Sequence, residues 1–245
     1  MTDTLSKKPI PSQDRLIMAL DLPSVSEAKS LVERLGDSVS FYKIGLELFM
    51  AGDYFEMIEW LQKRGKKIFA DLKFFDVPET VARAVRALSS HGVEFATVHG
   101  NDAIMEAAAK AKGNLKILAV TVLTSLDQGD LNDLGFECNV QRLVLSRARR
   151  ALALGCDGVI SSGLEVPLLR QEVDNKLLVI SPGIRPVENR PTDDQKRVVT
   201  VEQAFLNGAD YIVVGRPIRD AENPRAAAER AQAQIEAVFK AAANA

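Results

Sequence analysis

Short apolar runs rich in valine, isoleucine and leucine alternate with longer amphipathic stretches along the whole chain, the pattern of repeated βα units around a parallel sheet. Eight strands are predicted, at 15–21 (RLIMALD), 39–45 (VSFYKIG), 67–73 (KIFADLK), 94–100 (EFATVHG), 115–123 (LKILAVTVL), 157–162 (DGVISS), 177–183 (LLVISPG) and 211–216 (YIVVGR). Between them lie helical patterns such as VSEAKSLVERLG, PETVARAVRALSSHG and QRLVLSRARRALALG, each closed by a glycine suited to the position after a helix. Three junctions share one form, HGVEFATV from 91, LGCDGVIS from 154 and NGADYIVV from 207: helix end, glycine, acidic residue, buried strand.

Eight such units in 245 residues point to one (β/α)8 TIM barrel over 15–245, with its active site where the strands' C-terminal ends open into loops. A doubly wound open sheet is the alternative, weakened because no strand runs into a GxGxxG dinucleotide turn. The first fourteen residues carry charge and proline without apolar periodicity and are expected to form a flexible tail. Composition adds exclusions. At 47% hydrophobic and 26% charged the chain is too apolar for disorder, and a formal net charge of −2 leaves no footprint for nucleic acid or an anionic membrane. Cys138 and Cys156 form no CxxC or metal spacing, and neither His91 nor His99 supplies one, so free thiols in a reducing compartment are expected. With no secretory h-region and no run of about 18 apolar residues, a cytoplasmic protein is expected.

Polar residues at the ends of apolar strands carry the candidate chemistry: Asp21, Lys43, Asp71, Lys73, His99, Thr121, Thr124, Ser181 and Arg216. The densest group is DLKFFDVPET at 71–80, where the two-residue period puts Asp71 and Lys73 on one face with Leu72 opposite, and Asp76 falls just before the proline turn. Four charges converging on one barrel mouth, Lys43, Asp71, Lys73 and Asp76, are costly unless paired or used. His99 reads more readily as a core histidine. Late in the chain, SPGIRP (181–186) and GRP (215–217) occupy the loops where barrels commonly hold a phosphate. There Gly183 and Gly215 allow close backbone approach, and Arg185 and Arg216 can donate paired hydrogen bonds. The polar stretch RPVENRPTDDQKR (185–197) reads equally as a lid or as a surface excursion.

The stretch DLKFFDVPET resembles the D-x-K-x-x-D-[IV]-P-x-T signature of the orotidine 5'-monophosphate decarboxylase family. ALD (19–21), YKIG (42–45), VTVLTS (120–125), SPGIRP (181–186), DDQKR (193–197) and VVGRP (213–217) resemble the family's other motifs in the same order. The resemblance implies a cofactor-free, metal-free homodimeric barrel that converts orotidine 5'-monophosphate to UMP and CO2, the last step of de novo pyrimidine synthesis. It implies that Lys73 protonates C6 and that Lys43, Asp71 and Asp76 complete an alternating charge network. Asp21 and Lys43 would hold the ribose, Thr124 and Ser125 the pyrimidine, and Arg185, Gln195, Gly215 and Arg216 the phosphate, with Pro182 also in contact with substrate. Asp76 and Thr80 would reach into the partner subunit's site. Phe75 stands where many members carry histidine, while the charged positions around it are intact.

Removing CO2 from C6 leaves electrons in a ring-plane orbital, and no cofactor motif offers a sink. Unit charges about 4 Å apart attract by roughly 4 kcal/mol at an effective dielectric near 20, so a placed ammonium can be worth several powers of ten in rate. Two rival readings remain open on sequence. A Mg2+-dependent sugar-phosphate decarboxylase or synthase of the same superfamily shares DxKxxD but carries a metal-binding glutamate where this chain has Lys43. A non-catalytic phosphate-ligand binding protein needs no proton donor.

Overall fold

The computed structural model describes residues 4–185 and 197–243. Eight parallel strands close into a TIM barrel in chain order: β1 Leu16–Ala19, β2 Phe41–Gly45, β3 Lys67–Phe74, β4 Phe95–Val98, β5 Lys116–Val120, β6 Gly158–Ile160, β7 Leu178–Ser181 and β8 Tyr211–Val214. Pairing of β1 with β8 closes the sheet and removes the open-sheet alternative. All but β3 fall inside the expected runs; β3 extends one residue further.

Local chemistry sets both ends of the first α-helix. Ser24 caps Val25–Leu35, its hydroxyl accepting from the Glu27 amide at 3.2 Å and donating to the Glu27 carboxylate at 3.0 Å. That helix ends at Gly36 with φ +54°, a conformation that costs a side-chain-bearing residue about 1–2 kcal/mol. The recurring junctions place an acid at the base of each strand. Asp157 Oδ2 accepts from the Ile117 amide at 2.8 Å and Asp210 Oδ2 from the Val179 amide at 2.9 Å, so each ties its strand to the preceding one.

Alternation along the strands divides the core in two. Leu16, Met18, Tyr42, Ile44, Ile68, Ala70, Ala96, Val98, Ile117, Ala119, Val179 and Ile212 pack outward against the helices. Ile17, Ala19, Phe41, Phe69, Phe95, Leu118, Ile180, Tyr211 and Val213 fill the barrel. Its interior is aromatic: Phe95 lies 5.1 Å from Phe41, 5.2 Å from Tyr211 and 6.0 Å from Phe69 between ring centroids, in the tilted and edge-on arrangements that ring quadrupoles favour. These rings form the floor on which the polar residues above them stand.

Residues 4–14, expected as part of a flexible tail, are instead fastened to the bottom of the barrel. Lys8 pairs with the buried Asp210 at 3.0 Å, which also receives Arg170 at 2.8 Å and the Ser6 hydroxyl. Asp14 pairs with Lys67 at 2.7 Å and accepts from Ser40. An anion as deeply enclosed as Asp210 needs several donors, and the N-terminal segment supplies two of them. Among the described residues no helix is long and apolar enough to cross a membrane.

Candidate active site

Lys43, Asp71 and Thr97 each follow a floor phenylalanine by two residues, Phe41, Phe69 and Phe95, on three neighbouring strands. The pleat therefore lifts all three one step above the aromatic floor on the inner face. Lys43 and Asp71 are each only 9% exposed. The Lys43 ammonium donates to Asp21 Oδ1 at 2.9 Å and lies 3.4 Å from Asp71 Oδ2, while Lys73 Nζ donates to Asp71 Oδ1 at 2.8 Å. Asp21, Lys43, Asp71 and Lys73 thus alternate in sign across the ends of β1, β2 and β3.

The alternation favours the charged forms of its two buried members. Burial opposes ionisation of Asp71, but the Lys43 and Lys73 ammoniums and hydrogen bonds from Lys73 and Thr97 hold its carboxyl below the ordinary range. Burial likewise opposes the Lys43 cation, and Asp71 and Asp21 outweigh it and raise its pKa.

Lys73 reaches Asp71 by a route that simple alternation does not describe. The ladder between β3 and β4 pairs Ala70 with Ala96 and then Phe74 with Val98, four steps on one strand against two on the other. Within this bulge Lys73 has φ +47°. Bulges re-aim side chains beside active sites, and here the bulge sets Lys73 back over Asp71. The Lys73 amide donates to Thr97 Oγ1 at 2.9 Å, and Thr97 Oγ1 donates to Asp71 Oδ1 at 2.9 Å.

One cavity of about 490 Å³ covers this array and is lined by Asp21, Lys43, Asp71, Lys73, Thr124, Ser125, Pro182, Arg185, Gly215 and Arg216, together with Gly183, Val122, Leu123 and Arg219. Its two halves differ in chemistry. Ends of β1 to β3 bring the alternating charges, and the loops after β7 and β8 bring three arginines within one wall. Gly183, at φ +76°, needs to be glycine for its backbone alone, whereas Gly215 at φ −114° does not. Such a cavity can hold a phosphate at one end and a planar ring over a lysine at the other.

Other expected residues lie elsewhere. Asp76 is exposed and Thr80 half-buried beyond Pro78, and neither lines the cavity within this chain. Gln195 and the stretch 186–196 lie outside the described residues. His99 sits half-buried after β4, edge-on to Phe75 at 5.5 Å and away from the cavity wall; burial, with the Arg147 and Lys73 cations, lowers its pKa and leaves it neutral at pH 7. Thr121 donates to the Ile160 carbonyl, a structural bond.

Thr97 and Arg219 went unmarked by the sequence, and Arg197, inside the DDQKR motif, was given no role. Thr97 looked like a β-forming strand residue. Arg219, on the short helix Arg216–Arg219, donates to the Asp21 carbonyl from the cavity wall. Arg197 pairs with the buried Glu165 at 2.6 Å and donates to the Val122 and Leu123 carbonyls at 3.0 Å, bracing the segment that leads to Thr124 and Ser125. Burial pushes the Glu165 carboxyl up, against Arg197 and hydrogen bonds from Ser161 and Ser162.

A family model described as "Orotidine 5'-phosphate decarboxylase / HUMPS family" matches residues 14–231. A protein of Methylococcus capsulatus named orotidine 5'-phosphate decarboxylase is 78% identical over 241 residues, covering 98% of this chain and all of the relative. One of the same name from Nitrobacter winogradskyi is 50% identical over 220 residues, covering 89% of this chain and 91% of its own. The crystal structure of orotidine 5'-phosphate decarboxylase from Lactobacillus acidophilus superposes with a TM-score of 0.80 at 35% identity, covering 91% of this chain and 99% of that one.

Proposed function

The chain belongs to the orotidine 5'-phosphate decarboxylase / HUMPS family, and we propose the following division of work among its residues. The protein is an orotidine 5'-phosphate decarboxylase, a carboxy-lyase that converts orotidine 5'-monophosphate to UMP and CO2. Lys73 is the proton donor. As the bond from C6 to the carboxylate breaks, its electron pair stays on C6; the ammonium stabilises that developing charge, then transfers its proton there and recovers it from solvent. The observation that supports this best is the alternation Asp21, Lys43, Asp71, Lys73, built on the buried Lys43 and Asp71, which presents an ammonium already anchored at 2.8 Å to a carboxylate.

Asp71 fixes that ammonium and balances Lys43. Asp21 and Lys43 hold the ribose, Thr124 and Ser125 the pyrimidine, Pro182 packs against the ligand, and Arg185, Gly215 and Arg216 take the phosphate together with Gln195. Phosphate binding far from C6 then orients the ring over Lys73, so a substrate without phosphate loses turnover as well as affinity.

The working unit is a homodimer in the cytoplasm. Leu46, Phe49 and Met50, which follow β2, and Phe75, 68% exposed, and Val77, which flank Asp76 after β3, are large apolar side chains open to water. Exposed apolar side chains of this kind suit contact with a second copy, and the partner's site would then receive Asp76 and Thr80. The Mg2+-dependent alternative fits less well, since the Lys43 ammonium fills the space between the Asp21 and Asp71 carboxylates that a cation would take. The test is the ultraviolet absorbance of orotidine 5'-monophosphate with and without chelator. It should fall equally in both; activity abolished by chelator would refute the metal-free reading.

A further inference from the structure

We infer that Thr97 is the positioning residue of the proton donor: its hydroxyl pins the Lys73 backbone in its left-handed conformation and ties it to the carboxylate that holds the Lys73 ammonium. The inference rests on the reading of Lys73 as proton donor.

Lys73 is one of two non-glycine residues with positive φ among the described residues, and at +47° its backbone is strained by its own Cβ. Such strain persists only where the surroundings impose it. The β3 to β4 ladder does not, because the bulge interrupts pairing between Ala70 and Phe74. What replaces the ladder is the Thr97 hydroxyl, which accepts the Lys73 amide at 2.9 Å.

That bond fixes the hydroxyl's direction. An amide can only donate and an ionised carboxylate only accept, so the Thr97 hydrogen must point at Asp71 Oδ1, 2.9 Å away. The same oxygen accepts from Lys73 Nζ at 2.8 Å. A closed ring results, amide to hydroxyl to carboxylate and back through the ammonium, and Lys73 enters it twice. Thr97 is 0% exposed and does not line the cavity. It touches no substrate, so its influence on the reaction passes through Lys73 and Asp71.

Only a hydroxyl that both accepts and donates can close this ring. Valine keeps the branched shape and does neither; serine does both. With the hydroxyl gone, the Lys73 amide loses its partner and the bulge is free to relax toward extended backbone, carrying the ammonium with it. Displacement of a reacting group on the order of 1 Å costs roughly 100-fold in rate.

The experiment compares Thr97→Val and Thr97→Ser with wild type for kcat and KM on orotidine 5'-monophosphate, for UMP affinity and for the pH profile of kcat. Thr97→Val should lose roughly 100-fold in kcat while UMP affinity stays within about threefold, and Thr97→Ser should recover most of the loss. The acid limb of the Thr97→Val profile should move to higher pH as Asp71 loses a donor. A Thr97→Val enzyme with kcat within about threefold of wild type, a Thr97→Ser enzyme as impaired as Thr97→Val, or a loss confined to KM would overturn the inference. If Thr97→Val does not fold, Thr97→Ala removes the same hydroxyl with less bulk and carries the same expectations. A wild type that leaves orotidine 5'-monophosphate untouched would refute the decarboxylase reading itself; an active wild type matched by Thr97→Val would refute only the role of Thr97.

Discussion

Replacing Asp71 by asparagine removes one charge while keeping size and an acceptor for the Thr97 hydroxyl. The Lys73 and Lys43 ammoniums lie 2.8 and 3.4 Å from the Asp71 oxygens. At an effective dielectric near 20 those separations correspond to attractions of about 6 and about 5 kcal/mol before desolvation is subtracted. Breaking a buried ionic cluster by removing one partner leaves a net loss of about 3–5 kcal/mol. Asp71→Asn should therefore lower the urea midpoint by that amount of stability at neutral pH, with the m-value unchanged. The pH dependence has a defined sign. Asp71 has a folded pKa below 3.8, so its contribution is present above 3.8 and fades as pH falls through the folded value. The deficit of Asp71→Asn should accordingly be constant above pH 3.8 and shrink below it. A variant within about 1 kcal/mol of wild type at neutral pH would show that the charge alternation does not hold the site together.

Other perturbations probe separate parts of the account. Glu165→Ala leaves the Arg197 guanidinium, its side chain 11% exposed, without its carboxylate and should cost about 3 kcal/mol by chemical denaturation; a loss under about 1 kcal/mol would mean that the pair braces nothing. Lys8→Ala removes one of two cations on Asp210 at the bottom of the barrel, far from the cavity, and should lower thermal stability by about 1 kcal/mol with kcat unchanged. An unshifted melting temperature would contradict the docking of the N-terminal segment. Mixing Lys73→Ala with Asp76→Ala subunits should restore one intact site per heterodimer, and absence of recovery in heterodimers shown to form by mass would count against sites shared between subunits.

The barrel was legible because parallel strands buried on both faces are written as short apolar runs, and each run from 15–21 to 211–216 contains or meets a strand of the barrel. Lys43 and Asp71 stood out for the complementary reason, as charges ending such runs. The bulge at Lys73 was not legible. Nothing at Lys73 resembles the glycine or asparagine that usually marks positive φ, and flat alternation led to the right neighbours by the wrong geometry. Thr97 was hidden because threonine is an ordinary strand residue, and its bond to Lys73 exists only once β3 and β4 are in register. Arg197 with Glu165, and Arg219 with Asp21, are contacts between residues 32 and 198 apart along the chain; no local pattern encodes them. The segment 4–14 lacks periodicity for a similar reason, being held by single ion pairs rather than by an apolar face.

We propose that Lys73, held by Asp71 and Thr97, delivers the proton to C6. That proton transfer is tested by following the ultraviolet absorbance of orotidine 5'-monophosphate with wild type and with Lys73→Ala, at protein concentrations where both are shown to bind UMP. Wild type should abolish the orotate absorbance and Lys73→Ala should bind without turning it over; a Lys73→Ala protein that decarboxylates at a rate near wild type would contradict the account.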